Sequence, residues 1–184
     1  LTFLLINMML PFSRFSKKGF SLVEMIVFIT ILSLLSVAIV TTLLAMARSW
    51  SAIKADKNVN LAALSSLERM TREVRNATSI DAAQSTFNAT SSVVTLNTLD
   101  MISGAATIVK FSLASSTIYL KEGAAVQDPL TSSSVSVQSL VFRQITTSES
   151  EAVRIEMQIR STYKEKTVTQ NFYTTVSLRG KYSN

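Results

Sequence analysis

The sequence contains no cysteine and no histidine, and its 184 residues include only four glycines and two prolines. Without cysteine, no disulfide can crosslink a domain and no thiolate can bind a metal or attack a substrate. Without histidine, the chain lacks the commonest general base and the commonest metal ligand. A folded domain in this chain must therefore be stabilised by its hydrophobic core.

The remaining ionisable residues do not suggest a catalytic site. No Asp-x-Asp-x-Asp run of the kind that binds calcium occurs. A serine–lysine dyad that uses Lys110 or Lys121 stays formally open, but nothing in the spacing requires it. We expect no enzyme activity, no cofactor and no metal. The carboxylates considered as candidates are spread through segments of loop composition: Asp81, Asp100, Asp128, Glu149 and Glu151.

The charge balance is mildly basic. Eighteen Lys and Arg against twelve Asp and Glu give +6, and three of the cations are Arg14, Lys17 and Lys18. A chain that begins after residue 19 would carry 15 − 12 = +3. Because the other cations are scattered, the sequence argues against a dedicated nucleic-acid surface, and nucleic acid is the least expected partner.

A long apolar segment follows the basic N-terminal residues. Met25 to Ala47 is a run of 23 uncharged residues, enough for about 34 Å of helix against a hydrocarbon core of about 30 Å. Trp50 lies just beyond it, where an amphipathic ring suits the headgroup region. The segment predicts a single membrane span with the C-terminal region outside the cytoplasm. A plain anchor or a secretory signal cut after Ala47 are the alternatives.

The junction at Lys17-Lys18-Gly19-Phe20-Ser21-Leu22-Val23-Glu24 resembles the signal of type IV prepilins and type II secretion pseudopilins. The resemblance implies cleavage after Gly19 and methylation of the new amine of Phe20 by a prepilin peptidase. It also implies that Glu24, a carboxylate at the edge of an apolar helix, pairs with the amine of a neighbouring subunit during assembly. The alternative for Glu24 is a side chain that reaches the membrane interface.

Several partners follow from the resemblance: prepilin peptidase/methylase, other pilin or pseudopilin subunits, an inner-membrane assembly platform, and membrane lipid before assembly. The leader is predicted to be 1–19. Residues 1–8 are apolar, unlike leaders of this type, and initiation at Met9 would give a leader of familiar character.

The amphipathic part of the helix follows the span. No Gly or Pro occurs between Phe20 and Ala77, which predicts one long helix with a transmembrane half at 20–50 and an amphipathic half at 51–77.

Glu68 to Arg72 and Arg69 to Glu73 have the spacing of helix-stabilising ion pairs. Arg69, Arg72 and Arg75 are predicted to form either a solvated face or a subunit interface. The stripe expected to cover a core is Leu61, Leu64, Leu67, Met70, Val74 and Ala77.

A β-rich region follows a connecting segment at 78–92. Short strands are predicted at Val93–Leu99, Thr107–Leu113 and Thr117–Lys121, with Ala114-Ser115-Ser116 as a hairpin turn and a loop at 122–134. Strict alternation from Val153 to Arg160 predicts an antiparallel strand with one buried face. Two further strands are expected, one through Val135, Val137, Leu140 and Phe142 and one from Val168 to Leu178, the latter after an exposed turn at Tyr163–Lys166.

These elements predict an α+β, pilin-like fold in which the long N-terminal helix packs on an antiparallel β-sheet, with the globular head at 51–184 and its sheet region at 93–184. The helix at Leu67–Ala77 and the end of the chain at Phe172–Arg179 resemble W-type minor pilins and J-type pseudopilins. This resemblance implies a structural subunit that primes fibre assembly near the tip. The alternatives are a competence-type DNA-binding pilin and a membrane-anchored β-rich binding domain.

Overall fold

The computed structural model describes residues 19, 21–100, 104–147 and 150–178. The chain divides into two compact units, residues 1–45 and residues 46–184. The helix α1 is Leu22–Asn76, and eight strands follow it: β1 Ser79–Ile80, β2 Val94–Leu99, β3 Ala106–Ala114, β4 Thr117–Glu122, β5 Asp128–Pro129, β6 Ser136–Thr146, β7 Glu151–Tyr163 and β8 Lys166–Ser177.

Helix α1 ends where its backbone begins to bond to the sheet. The last helical hydrogen bond is donated by the Ala77 amide to the Glu73 carbonyl at 3.0 Å, and the next amide, Thr78, donates to Asn97 at 2.8 Å. The Thr98 hydroxyl donates to the Asn76 carbonyl at 3.3 Å, which satisfies a terminal acceptor of the helix. The single long helix that the absence of Gly and Pro predicts is therefore confirmed to within one residue of its expected end.

The core-facing side of α1 differs from the predicted stripe. Met70, Val74 and Ala77 are fully buried as expected, but Leu61 is 55% exposed and Leu64 is 65% exposed. Small side chains take their place because they allow the helix backbone to approach the core closely. The buried helical residues are Ser51, Ala55, Val59, Ala62, Ala63, Ser66, Met70 and Val74.

Five strands form the first sheet, in the order β1-β2-β3-β4-β5, with every neighbouring pair antiparallel. The predicted β3–β4 hairpin is confirmed, and its two turn residues, Ser115 and Ser116, have φ of 48° and 62°. Positive φ at both positions matches the twist of the flanking strands. The two-residue strands β1 and β5 lie in segments expected to be loops, and they pair through backbone bonds that side-chain patterns do not reveal.

The second sheet contains three long strands, in the order β6-β7-β8. On β7 the predicted alternation is confirmed, because Val153, Ile155, Met157 and Ile159 are buried while the residues between them face outward. On β6 the register shifts between Val137 and Ser139, so that Gln138 is an extra residue, or β-bulge.

The two sheets and the amphipathic half of α1 share one core. The Val137 amide of β6 donates a hydrogen bond to the carbonyl of Ser116, in the β3–β4 turn, and an isolated parallel bridge joins Leu140 of β6 to Ser91, in the segment before β2. Phe111 of the first sheet and Phe142 of the second are completely buried in the same cluster as Met70 of the helix. The α+β, pilin-like arrangement of one long helix and antiparallel sheets is therefore confirmed, with two sheets rather than the single sheet expected.

The outer face of the second sheet carries a small charged network. Glu156 accepts hydrogen bonds from Arg143 Nε at 3.0 Å and forms an ion pair with Arg154 Nε at 2.9 Å. The Arg143 hydrogen bond, with further attraction from both guanidinium groups, outweighs desolvation and lowers the pKa of the Glu156 carboxyl. The guanidinium of Arg154 also lies 5.9 Å from the centroid of the Tyr173 ring. These two arginines are thus already engaged by partners on their own sheet.

Candidate functional site: N-terminal signal and assembly helix

The start of helix α1 places Glu24 in its first turn. The first helical hydrogen bond runs from the Met25 amide to the Ser21 carbonyl at 3.1 Å, so Ser21 occupies the N-cap position. Glu24 lies three residues later, which is the Ser-x-x-Glu spacing of a capping box. A carboxylate here also interacts favourably with the positive end of the helix dipole. Sequence reasoning missed Ser21, although this spacing is its signal.

Glu24 is exposed, and the ion pairs formed among the described residues do not include it. The side chain therefore keeps its charge available to a group outside this part of the chain. Phe20, the expected carrier of the new amine, lies outside the described residues.

Gly19 lies outside the helix and is exposed. A Cβ added at Gly19 would meet no described atom within 4 Å. The protein itself therefore leaves room for a larger side chain at this position. If only glycine is acceptable there, the restriction must come from an enzyme that binds this segment.

The first unit presents an apolar helical surface on every side. All helical residues from 22 to 45 are exposed, and most of them are apolar. By length and composition this helix can cross a membrane. Exposed apolar side chains of this density are unfavourable in water, so the surface requires lipid or other apolar helices around it.

The hydroxyl groups within this apolar segment are bonded to the helix itself. Thr30 donates to the Ile26 carbonyl at 2.8 Å, and Ser36 donates to the Leu32 carbonyl at 2.9 Å. Ser33, Thr41 and Thr42 do the same with carbonyls three or four residues earlier. Because hydrocarbon offers no hydrogen-bond partner, such internal bonds make these residues compatible with the interior of a bilayer.

The three arginines predicted to act together lie in different environments. Arg69 forms an ion pair with Glu73, with Nε 3.1 Å from Oε1, and its terminal nitrogen donates a hydrogen bond to the carboxylate of Glu122 on β4. This arginine therefore tethers the helix to the first sheet. Of the two expected helical pairs, Arg69–Glu73 is present, whereas the ion pairs of the described residues do not include Glu68–Arg72.

Arg72 and Arg75 lie on the outer side of α1 and are exposed. Arg72 approaches Glu73 at 3.7 Å, a weak contact for a side chain that is 56% exposed. Both arginines line an open depression of about 610 Å³ on the helix surface. Exposed Leu64 and half-buried Leu67 form its apolar part. Glu68 also lines the depression, so the outer helix face combines apolar side chains with two arginines, of which Arg75 forms no ion pair among the described residues.

The described residues contain no group of three acidic side chains placed to hold a metal ion. The described part of the N-terminal segment offers instead an exposed glycine, a charged first turn and an apolar helix.

A comparison with family models identifies a prokaryotic N-terminal methylation motif at residues 14–40. No curated protein and no solved structure gives a significant match to the chain. The motif confirms the prepilin-type signal that the sequence resembles, and it supports a processed, membrane-anchored subunit of type IV pilin or pseudopilin type. Such a signal implies processing by a prepilin peptidase and assembly with other pilins, which are structural proteins in general.

Proposed function

We propose that this chain is a structural subunit of a type IV pilus or a type II secretion-type fibre, cut after Gly19, methylated on Phe20 and assembled through its N-terminal helix. The methylation motif, which leads directly into an uncovered apolar helix, carries this proposal. The helix has two apolar environments available, the bilayer before assembly and neighbouring helices afterwards. A fibre subunit uses both in turn.

The register of assembly follows from the spacing at the N-terminus. Cleavage after Gly19 leaves only Phe20 and Ser21 ahead of the helix. The new amine is then four residues from Glu24, which corresponds to about 6 Å along a helix axis. A neighbouring subunit displaced by about one turn would bring its amine beside this carboxylate. A buried ion pair of this kind specifies register, because the carboxylate is costly in lipid when unpaired.

The outer face of α1 in the head is the proposed second contact, with Arg72 and Arg75 as its charged members and Leu61 and Leu64 as its apolar members. Arg69 contributes less, because Glu73 and Glu122 already neutralise it. The subtype that the helix resembles, a W-type minor pilin or J-type pseudopilin, would place this contact near the fibre tip, where the subunit primes assembly.

The proposal is tested by the N-terminal residue and mass of the protein recovered from cells that contain the processing enzyme. We expect a chain that begins at Phe20 and is heavier by one methyl group than the unmodified sequence. A chain that begins at Arg48 would indicate a secretory signal, and an intact basic leader would indicate a plain anchor. Either result would contradict the proposal.

Charge reversal at Arg75 tests the second contact. We expect Arg75→Glu to reduce recovery of partner subunits in a crosslinked pull-down by about tenfold, because a like charge at an interface costs several kcal/mol. Lys166→Glu is the matched control, since Lys166 is also an exposed cation without an ion pair among the described residues but lies at the start of β8. Equal recovery with wild type and Arg75→Glu would identify the outer helix face as a solvated surface.

A further inference from the structure

A second candidate site lies in the head, at the end of the second sheet where β6 begins and β7 ends. An open cavity of about 350 Å³ is formed there by the turn before β6, the first residues of β6 and the last residues of β7. The lining residues are Ser133, Ser134, Val135, Ser136, Gln138, Arg160 and Thr162. One guanidinium group, four hydroxyls and a carboxamide therefore surround this space, with no carboxylate among the lining side chains.

Arg160 differs from the other arginines of this sheet face. Arg143 and Arg154 share Glu156, whereas the ion pairs between described residues leave Arg160 without a carboxylate partner. Arg160 is exposed, and its cross-strand neighbours are Ser136 on β6 and Thr169 on β8. The cavity thus contains one positive charge that its own surroundings do not neutralise.

The fold orients the polar groups around this charge. Ser136 and Gln138 are two residues apart and lie on the outer side of β6, on either side of the buried Val137, and after the bulge at Gln138 the next buried residue is Leu140. The side-chain carboxamide of Gln138 donates, through Nε2, to the Ser136 hydroxyl at 2.8 Å. Because that hydroxyl accepts this bond, its own proton remains available to donate to a ligand.

The turn before β6, which forms part of the cavity wall, is held in place by two hydrogen bonds. The buried Ser161 hydroxyl donates to the Ser134 carbonyl at 2.9 Å, and the Val135 amide donates to the Ser132 carbonyl at 3.2 Å. These bonds connect the turn to β7 and fix the positions of Ser133 and Ser134. A wall that is already ordered reduces the entropy lost when a ligand binds.

We propose that this cavity binds a single sugar unit that carries one oxyanion, either a carboxylate or a phosphate. Arg160 pairs with the oxyanion, since a guanidinium matches either group with charge-assisted hydrogen bonds. Ser133, Ser134, Ser136, Gln138 and Thr162 contact the hydroxyls of the sugar, because hydroxyl and carboxamide groups both donate and accept. One cation among five neutral polar groups fits a polyol with a single anionic group better than a polyanion. The volume lies at the lower end of the range for small-molecule sites.

The experiment is isothermal titration calorimetry of the full-length protein in detergent micelles with glucuronate, glucose 6-phosphate, glucose and inorganic phosphate. We expect one or both sugar acids, glucuronate and glucose 6-phosphate, to bind. Glucose lacks the oxyanion that pairs with Arg160, and inorganic phosphate lacks the sugar hydroxyls, so each should bind at least about tenfold more weakly. Whichever sugar acid binds more tightly identifies the carboxylate or the phosphate as the natural oxyanion.

Two arginine variants separate the cavity from the rest of the sheet face. Arg160→Gln is expected to weaken sugar-acid binding by about tenfold or more, whereas Arg154→Gln, on the same face and strand, should change it by less than about twofold. Arg160 is exposed and forms no described ion pair, so its removal should leave the thermal unfolding curve unchanged; that curve is recorded for both variants.

Three results would overturn the proposal. The first is the absence of binding by both sugar acids up to about 10 mM, a concentration that would reveal even millimolar affinity. The second is an equal loss in the two arginine variants. The third is binding of inorganic phosphate, or of a DNA oligonucleotide, as tightly as the sugar acids; dependence on Lys164 and Lys166 instead of Arg160 would then identify a polyanion surface.

Discussion

Replacement of Gly19 by valine is expected to leave the precursor uncut in cells that process the wild-type chain. The uncut form would migrate more slowly on a denaturing gel, and its N-terminal sequence would still include the basic leader. A peptidase subsite shaped for glycine has no space for a β-branched side chain, and overpacking of this kind costs about 1–3 kcal/mol or more. The rate of cleavage should therefore fall by at least about tenfold.

The structure indicates that loss of cleavage would arise at the peptidase and not from a change in the structure of the substrate. Gly19 is exposed, and an added Cβ meets no described atom within 4 Å, so the described residues leave space for a side chain at this position. A graded series strengthens the test, since Gly19→Ala should be cut faster than Gly19→Val. Ser13→Val is the matched control, because it introduces the same β-branched side chain elsewhere in the leader. Normal processing of Gly19→Val would show that cleavage does not occur at this bond.

The β7 strand shows what could be predicted from a single sequence. Val153 and Ile159 belong to a strict alternation, and a strand with that pattern has only one way to bury its apolar face. The bulge on β6 left a weaker signal, because the step from Val137 to Leu140 is three residues instead of two. Both patterns are local, so the sequence contains them.

The outer helix face shows what could not be predicted. Leu61 and Leu64 were expected in the core because they are apolar and helically spaced, yet the core-facing positions are filled by smaller residues such as Ala62 and Ala63. An apolar stripe on a helix has the same pattern whether it contacts its own core or a partner. The separation of Arg69 from Arg72 and Arg75 depends on Glu122, which is 53 residues away in sequence. Such contacts exist only after the chain has folded.

The two candidate sites differ in the same way, since one could be predicted from the sequence and the other could not. Gly19 and Glu24 could be identified because they belong to a contiguous motif, which a family model matches at residues 14–40. The cavity around Arg160 could not, because a turn, a bulge and the end of another strand must first come together. Sites that are recognised before folding are visible in sequence, and sites that folding creates are not.

Replacement of Glu24 by alanine is expected to leave processing intact but to reduce the amount of subunit in sheared fibres by at least about tenfold. Loss of one member of a buried ion pair leaves the other charge uncompensated, at a cost of about 3–5 kcal/mol. The measurement is the ratio of fibre-associated to membrane-associated protein by quantitative immunoblot. Glu165→Ala is the matched control, because Glu165 is also an exposed glutamate but lies in the turn between β7 and β8, outside both proposed subunit contacts.

Glutamine at position 24 distinguishes the two roles that the structure allows for this side chain. In a capping box with Ser21, glutamine replaces glutamate with little loss, since either side chain accepts a bond from the N-cap amide. In an ion pair with the amine of a neighbouring subunit, the neutral carboxamide fails almost as completely as alanine. Because the fibre proposal requires the charge, Glu24→Gln should be incorporated as poorly as Glu24→Ala. Incorporation at the wild-type level would assign Glu24 to helix initiation, and the register of the fibre would then have to come from the apolar packing of the helices.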